Sequence, residues 1–123
     1  MRFEVRTNNV DEQQPLIYMW EMRSRSGELI GRYVGKAKAG GKRPRKHYSR
    51  NVARILASKP YRKGNQDGFR RVHRALAEAH RLGHSVVLSF LCNVKPGESI
   101  NDAEQRCIKE HNSQGTEAWQ LNG

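Results

Sequence analysis

Cysteine is scarce in this chain, and so are the patterns that would give it a chemical role. Cys92 and Cys107 are the only two in 123 residues, with no CxxC pair and no Cys/His cluster. A structural zinc site is therefore excluded, because four ligands need more donors at closer spacing. One thiol lies in an apolar strand-like run and the other in a helix-like run, the setting of two buried, reduced cysteines. Long hydrophobic runs are also missing. No segment approaches the ~20 apolar residues of a membrane-crossing helix, and the basic segments lack the wide apolar face with Trp or Phe anchors that holds a helix on lipid. The opening Met1-Arg2-Phe3-Glu4-Val5-Arg6 has no apolar core of signal-peptide type. The expectation is a cytoplasmic protein. There is no internal repeat, no low-complexity segment and no length for a second core. With 36% hydrophobic residues and nine aromatics, the one core is modest.

Acid is the third scarcity, and it is local. Between Arg32 and Arg74 there are fifteen Lys and Arg and a single acid, Asp67, whereas the rest of the chain carries eight basic residues and eleven acids. The first stretch is thus +14 and the remainder −3. Solubility does not require acids to be kept out of a third of a chain. A concentrated positive field attracts a polyanion, and nucleic acid is the commonest one a small domain meets. Lys38, Lys42, Arg45, Arg50, Arg54, Arg62, Lys63, Arg70, Arg71 and Arg74 are the candidate nucleic-acid contacts.

Apolar spacing predicts the element order. Residues 1–14 are polar and form an N-terminal arm or a short leading strand, left unassigned; residues 15–123 form one domain. Leu16 to Met22 alternates, with Leu16, Tyr18, Trp20 and Met22 on one side, as a half-buried strand does. Ser26-Gly27 turns the chain, and Leu29 to Lys36 returns antiparallel. After a flexible Ala39-Gly40-Gly41, Pro44 suits the first turn of a helix reaching about Ser58. Its stripe is Tyr48, Val52, Ile55 and Leu56, which leaves His47, Arg50, Asn51 and Arg54 facing out. A basic loop, Lys59 to Gly68, precedes a helix from Phe69 to about Leu82 that stops at Gly83. Ser85 to Val94 reads as a central strand covered on both faces. Ser99 then caps a last helix to about Asn112, whose inner stripe is Ile100, Ala103, Cys107, Ile108 and His111, with Glu104 at its margin. The fold class is α+β: a small three-stranded antiparallel sheet flanked by helices, in the order β-β-α-α-β-α.

Phosphodiester hydrolysis needs an activated water, cations on the phosphate oxygens and support for the leaving oxygen. Glu104 can hold a divalent metal, and Arg43 can contact phosphate as a planar, permanently charged donor. Tyr18, Tyr33 and His47 can position or deprotonate water, and Lys36 adds a mobile charge. A carboxylate beside an apolar stripe is costly unless a cation compensates it, which favours Glu104 over Asp102 and Glu110. Arg45 and Arg50 remain rivals to Arg43.

Ile17-Tyr18 and Tyr33-Val34-Gly35 resemble the two signatures of the GIY-YIG nuclease superfamily, and the element order matches its domain. The resemblance covers Leu16 to Asn122. Gly41-Lys42-Arg43-Pro44, with His47 four residues after Arg43, is similar to the small phage, restriction and homing branches. Leu16 stands where the first signature has Gly, and fourteen residues separate Tyr18 from Tyr33, a longer turn than is usual. The resemblance implies single-metal hydrolysis of DNA with Mg²⁺ or Mn²⁺. Tyr18, Tyr33, Lys36, Arg43, His47 and Asn122 would form the catalytic set, Asn112 competing for the last place, and Glu104 would be the metal ligand. The partner implied is double-stranded DNA, without a membrane, and a homodimer on DNA is one way to cut both strands. Two other readings stay open: a repressor-like DNA-binding module that has lost catalysis on the same fold, and an RNA-directed nuclease. The lack of surface aromatics for base stacking counts against the latter.

Overall fold

The computed structural model describes residues 1–65 and 68–123. Its elements run β1 (Glu4–Arg6), β2 (Leu16–Arg23), β3 (Leu29–Ala37), α1 (Lys42–Leu56), α2 (Arg71–Leu82), β4 (Ser85–Asn93) and α3 (Ile100–His111). The α+β class holds, but the three-stranded antiparallel sheet is corrected to a mixed sheet of four strands in the order β1-β4-β2-β3. β2 pairs antiparallel with β3 and β4, and β1 lies parallel to β4. The apolar run of β4 makes it an interior strand, which needs a partner on each side. The N-terminal segment supplies one of them: Glu4, Val5 and Arg6 pair with Val87, Leu88 and Ser89, and Phe3 and Val5 pack on the core. Three residues amid polar neighbours are too few for strand alternation to be visible.

β2 also departs from its half-buried reading. Leu16, Tyr18, Trp20 and Met22 face a core built with Tyr48, Val52, Val72 and Leu76 of α1 and α2. Ile17 and Met19, on the opposite face, are buried with Val34 beneath Ala103, Cys107 and Ile108 of α3. The second face is closed by a helix some eighty residues further on, which no local pattern announces. Cys92 and Cys107 meet in this second layer as free thiols, Sγ to Sγ 3.9 Å, with Cys107 buried and Cys92 only half-buried.

The register of the hairpin sets Tyr18 opposite Gly35 and Trp20 opposite Tyr33. The Tyr18 ring lies across the bare backbone of Gly35, where any Cβ would overlap it. That close approach is why glycine follows Val34 in the second strand.

The Gly-rich entry to α1 is not loose. Gly41 N–H donates to the Glu12 carbonyl at 3.0 Å, and Gly40, at φ +92°, has that carbonyl where a side chain would sit. α1 starts at Lys42 with Pro44 in its first turn, its missing N–H costing nothing there. Its buried face is Pro44, Tyr48, Asn51 and Val52; Leu56, expected inside, is exposed, and Asn51, expected outside, is buried. α2 begins at Arg71 rather than Phe69 and ends on Gly83 in the left-handed region. Ser99 Oγ accepts the Asp102 N–H at 3.0 Å and caps α3 as expected. The expected loop Lys59 to Gly68 contains Gln66 and Asp67, which lie outside the described residues. Among the described residues no helix is long and apolar enough to cross a membrane.

Candidate active site

β3 is the outer strand beside β2, so side chains from both its faces can reach one cleft. That cleft, about 260 Å³, is lined by Tyr18, Tyr33, Lys36, Arg43, His47, Tyr48, Arg70 and Glu104, with Ala37, Lys38, Ala39 and Pro44 completing its wall. Strands β2 and β3 contribute the first two tyrosines and Lys36. The first two turns of α1 bring Arg43, His47 and Tyr48, α3 brings Glu104, and the residue before α2 brings Arg70.

The tyrosines form one network. Tyr18 and Tyr48 share a hydrogen bond between hydroxyls at 2.5 Å. The Arg70 guanidinium donates to Tyr33 Oη at 3.0 Å and to Tyr48 Oη at 3.2 Å. Burial pushes the Tyr18 phenol far above the ordinary tyrosine range, reinforced by Tyr48. Burial also pushes Tyr48 up to about 12, although Arg70 opposes the rise. Both stay protonated and act as hydrogen-bond donors or acceptors, so neither serves as a base at neutral pH.

His47 differs. Its imidazole is held below the ordinary histidine value, first by burial and then by the positive charges of Arg43, Arg70, Arg50 and Arg62. It is neutral at pH 7 and can accept a proton. The Asn51 amide nitrogen Nδ2 lies 3.2 Å from His47 Nε2 and 3.3 Å from Nε2 of the fully buried His73. His73 Nδ1 accepts the Arg70 backbone N–H at 3.1 Å.

Arg43 is exposed and has no hydrogen-bond or ion-pair partner among the described residues. The Lys36 ammonium donates to Asn101 Oδ1 at the start of α3. Glu104 is half-buried, and burial holds its carboxyl above the usual value, which Lys36 and Arg70 only partly counter. Among the described residues it is the one carboxylate lining the cleft. Among the described residues no group of three or more His, Cys, Asp and Glu could hold a metal ion. A single carboxylate does not make a closed protein cage. It does fit Mg²⁺ or Mn²⁺ that keeps most of its water and takes phosphate oxygens as further ligands.

Asn122 lies outside the cleft. Its Oδ1 accepts the Val34 N–H at 2.7 Å and its Nδ2 donates to the Val34 carbonyl at 2.8 Å, so the side chain acts as one more rung on the edge of β3. It ties down the β3 backbone between Tyr33 and Gly35.

The nucleic-acid candidates separate as well. Lys42, Lys46 and Arg50 line a shallow groove that shares Arg43 and His47 with the cleft, and Lys38 stands at the cleft wall. Lys46 was missed in the sequence because nothing local singles it out among fifteen basic residues. Lys63 is exposed, and Arg62 and Arg74 lie over the rings of Tyr61 and Phe69. Three expected contacts are engaged with other groups of the protein. Arg45 pairs with Glu12 at 2.9 Å, Arg54 donates to the Pro60 carbonyl at 3.3 Å, and Arg71 donates to the Gln120 and Ala118 carbonyls at 3.2 Å each.

Four residues of the cleft and its support were hidden in the sequence. Tyr48 fits a core stripe, Arg70 fits a basic helix face, and nothing marks His73. Asn51 alone carried a signal, lying one helical turn after His47. Comparison of the chain with protein-family models, with curated proteins and with solved structures gives no match.

Proposed function

We propose that this chain is a divalent-metal-dependent endonuclease of the GIY-YIG type, hydrolysing DNA phosphodiester bonds with a single metal. One observation carries the reading: a single cleft gathers a neutral imidazole, three phenols, four cations and, among the described residues, one carboxylate, drawn from strands and helices far apart in sequence. These are the groups that attack on a phosphodiester requires.

His47 takes the proton of the attacking water, being the cleft base that is neutral and unbonded at one ring nitrogen. Arg43 contacts the scissile phosphate, since its guanidinium is uncommitted. Arg70 orients Tyr33 and Tyr48 and adds positive charge where negative charge grows on the phosphate. Tyr18 and Tyr48 stay protonated and hold the hydroxyl network in place. Glu104 would hold the divalent cation, which when bound neutralises phosphate charge and stabilises the leaving oxygen.

Duplex DNA suits the neighbouring groove. Lys42, Lys46 and Arg50 offer phosphate contacts, and among the described residues the exposed large apolar side chains are Ile30, Leu56 and Leu82, none an aromatic platform for unstacked bases. Supercoiled plasmid incubated with Mg²⁺ or with EDTA tests the reading. Wild type should nick only with metal, and Arg43→Ala and Glu104→Gln should each lose on the order of 100-fold or more in rate. A gel shift without metal-dependent nicking would identify a DNA-binding module instead. Undiminished cutting by both variants would move the site elsewhere.

A further inference from the structure

His73 is a titratable side chain with no exposure to solvent, and the chemistry above does not use it. Its bonds fix where its proton lies. The Nδ1 atom accepts the Arg70 N–H, so it carries no hydrogen. An imidazole must keep at least one ring N–H, which places the His73 proton on Nε2. That N–H points at the Asn51 carboxamide, 3.3 Å away.

The two ends of a carboxamide are alike in size and shape, so the proton inventory decides which end faces the rings. An NH₂ group there would oppose a donor with a donor. Turning the carboxamide by 180° puts its oxygen where Nδ2 stands, and one carbonyl oxygen has two lone pairs. The second is available to His47 Nε2, 3.2 Å from the same position. A nitrogen facing an oxygen acceptor bonds only by carrying hydrogen, so His47 Nε2 is protonated too.

We propose that Asn51, oriented by His73, is a positioning residue that locks His47 as its Nε2–H tautomer and leaves the basic lone pair on Nδ1. The chain of constraint runs from a backbone amide through His73 and Asn51 to the ring that lines the cleft. It is neutral throughout, so it orients His47 without adding a carboxylate that would raise its affinity for protons. When His47 accepts a proton at Nδ1, its bond to Asn51 persists and nothing need rearrange. His73 is held down at about 4 by burial, Arg70 and His47, so the relay keeps one arrangement across the neutral range. The tautomer stands on hydrogen bonding alone; only its catalytic use rests on the nuclease reading.

The test is ¹⁵N-edited NMR of the imidazole nitrogens near pH 7.5, with resonances assigned by their loss in His47→Gln and His73→Gln, alongside the plasmid assay. In wild type both rings should show a hydrogen-bearing Nε2 and a bare Nδ1. In Asn51→Leu the His47 nitrogens should move toward averaged shifts of a tautomer mixture, and nicking should fall on the order of tenfold with DNA binding retained. Asn51→Asp, which keeps an oxygen acceptor, should restore the Nε2–H pattern. A wild-type proton on Nδ1 of either ring overturns the proposal, as does an Asn51→Leu spectrum unchanged at His47. The expected wild-type tautomers in a protein that never nicks would leave the relay standing and remove the nuclease reading.

Discussion

His47 concentrates the consequences at the residue scale. Burial and the surrounding guanidinium groups favour its neutral form, so its proton affinity is below that of an ordinary histidine at 6.5. If it is the base, nicking is absent while it is protonated and appears as pH rises through its lowered value. The acid limb of the pH–rate profile should therefore lie below pH 6.5. Replacing Arg50 with Gln removes one of the charges that disfavour the imidazolium, and the limb should move toward higher pH. Single-turnover nicking at saturating DNA measures the shift apart from weaker binding. A limb that stays fixed in Arg50→Gln would mean that another group titrates. Sequence already singled out His47, Arg43 and Glu104, because residue type and helical spacing survive without a fold. Tyr48 and Arg70 were not legible as cleft residues, since a buried aromatic and a surface arginine look ordinary until their hydroxyl and guanidinium meet.

Elements decide whether those groups stay in register. β3 is an edge strand, and its outer side is closed by the C-terminal segment: Arg32 N–H donates to the Trp119 carbonyl at 2.8 Å, Leu121 N–H to the Arg32 carbonyl at 3.0 Å, and Asn122 clasps Val34. Asn122→Ala leaves the Val34 N–H and carbonyl without those partners. It should lower unfolding stability by about 1–2 kcal/mol and slow nicking through a displaced Tyr33. Urea denaturation separates this from Glu104→Gln, which should lose activity at nearly wild-type stability. A stable but inactive Asn122→Ala would instead put the amide in contact with substrate. The hairpin, the strand β4 and the three helices were all readable from periodicity and turn residues, with ends shifted by a few residues. β1 was not, because three residues gain their strand conformation only from β4 beside them.

The whole molecule is organised by charge. The +14 stretch runs from β3 through α1 to the start of α2, bringing Lys42, Lys46 and Arg50 into one groove next to the cleft. Phosphate contacts release counterions, so binding weakens linearly with log salt. Lys42→Gln should weaken DNA binding at every sequence and reduce that slope by about 0.9. Arg71→Gln, whose guanidinium is spent on the C-terminal carbonyls, should lower stability and leave the slope unchanged. Fluorescence anisotropy across a salt series measures both, and equal slopes for the two variants would show that the groove is not the DNA track.

Taken alone, the sequence determined the hairpin, the interior strand β4 and the three helices, the α+β class, the position of the basic stretch and most of the side chains that share the cleft. These follow from local physics: periodicity selects helix or strand, glycine and proline place turns, and like charges close in sequence remain close in space. Tertiary structure decided what depends on distant neighbours. It added β1 to the sheet, buried the second face of β2 under α3, tied Arg45, Arg54 and Arg71 to partners within the protein, and set Asn51 between two histidines. Burial and hydrogen-bond partnership belong to pairs of groups, and which pairs form depends on how segments far apart in sequence pack together.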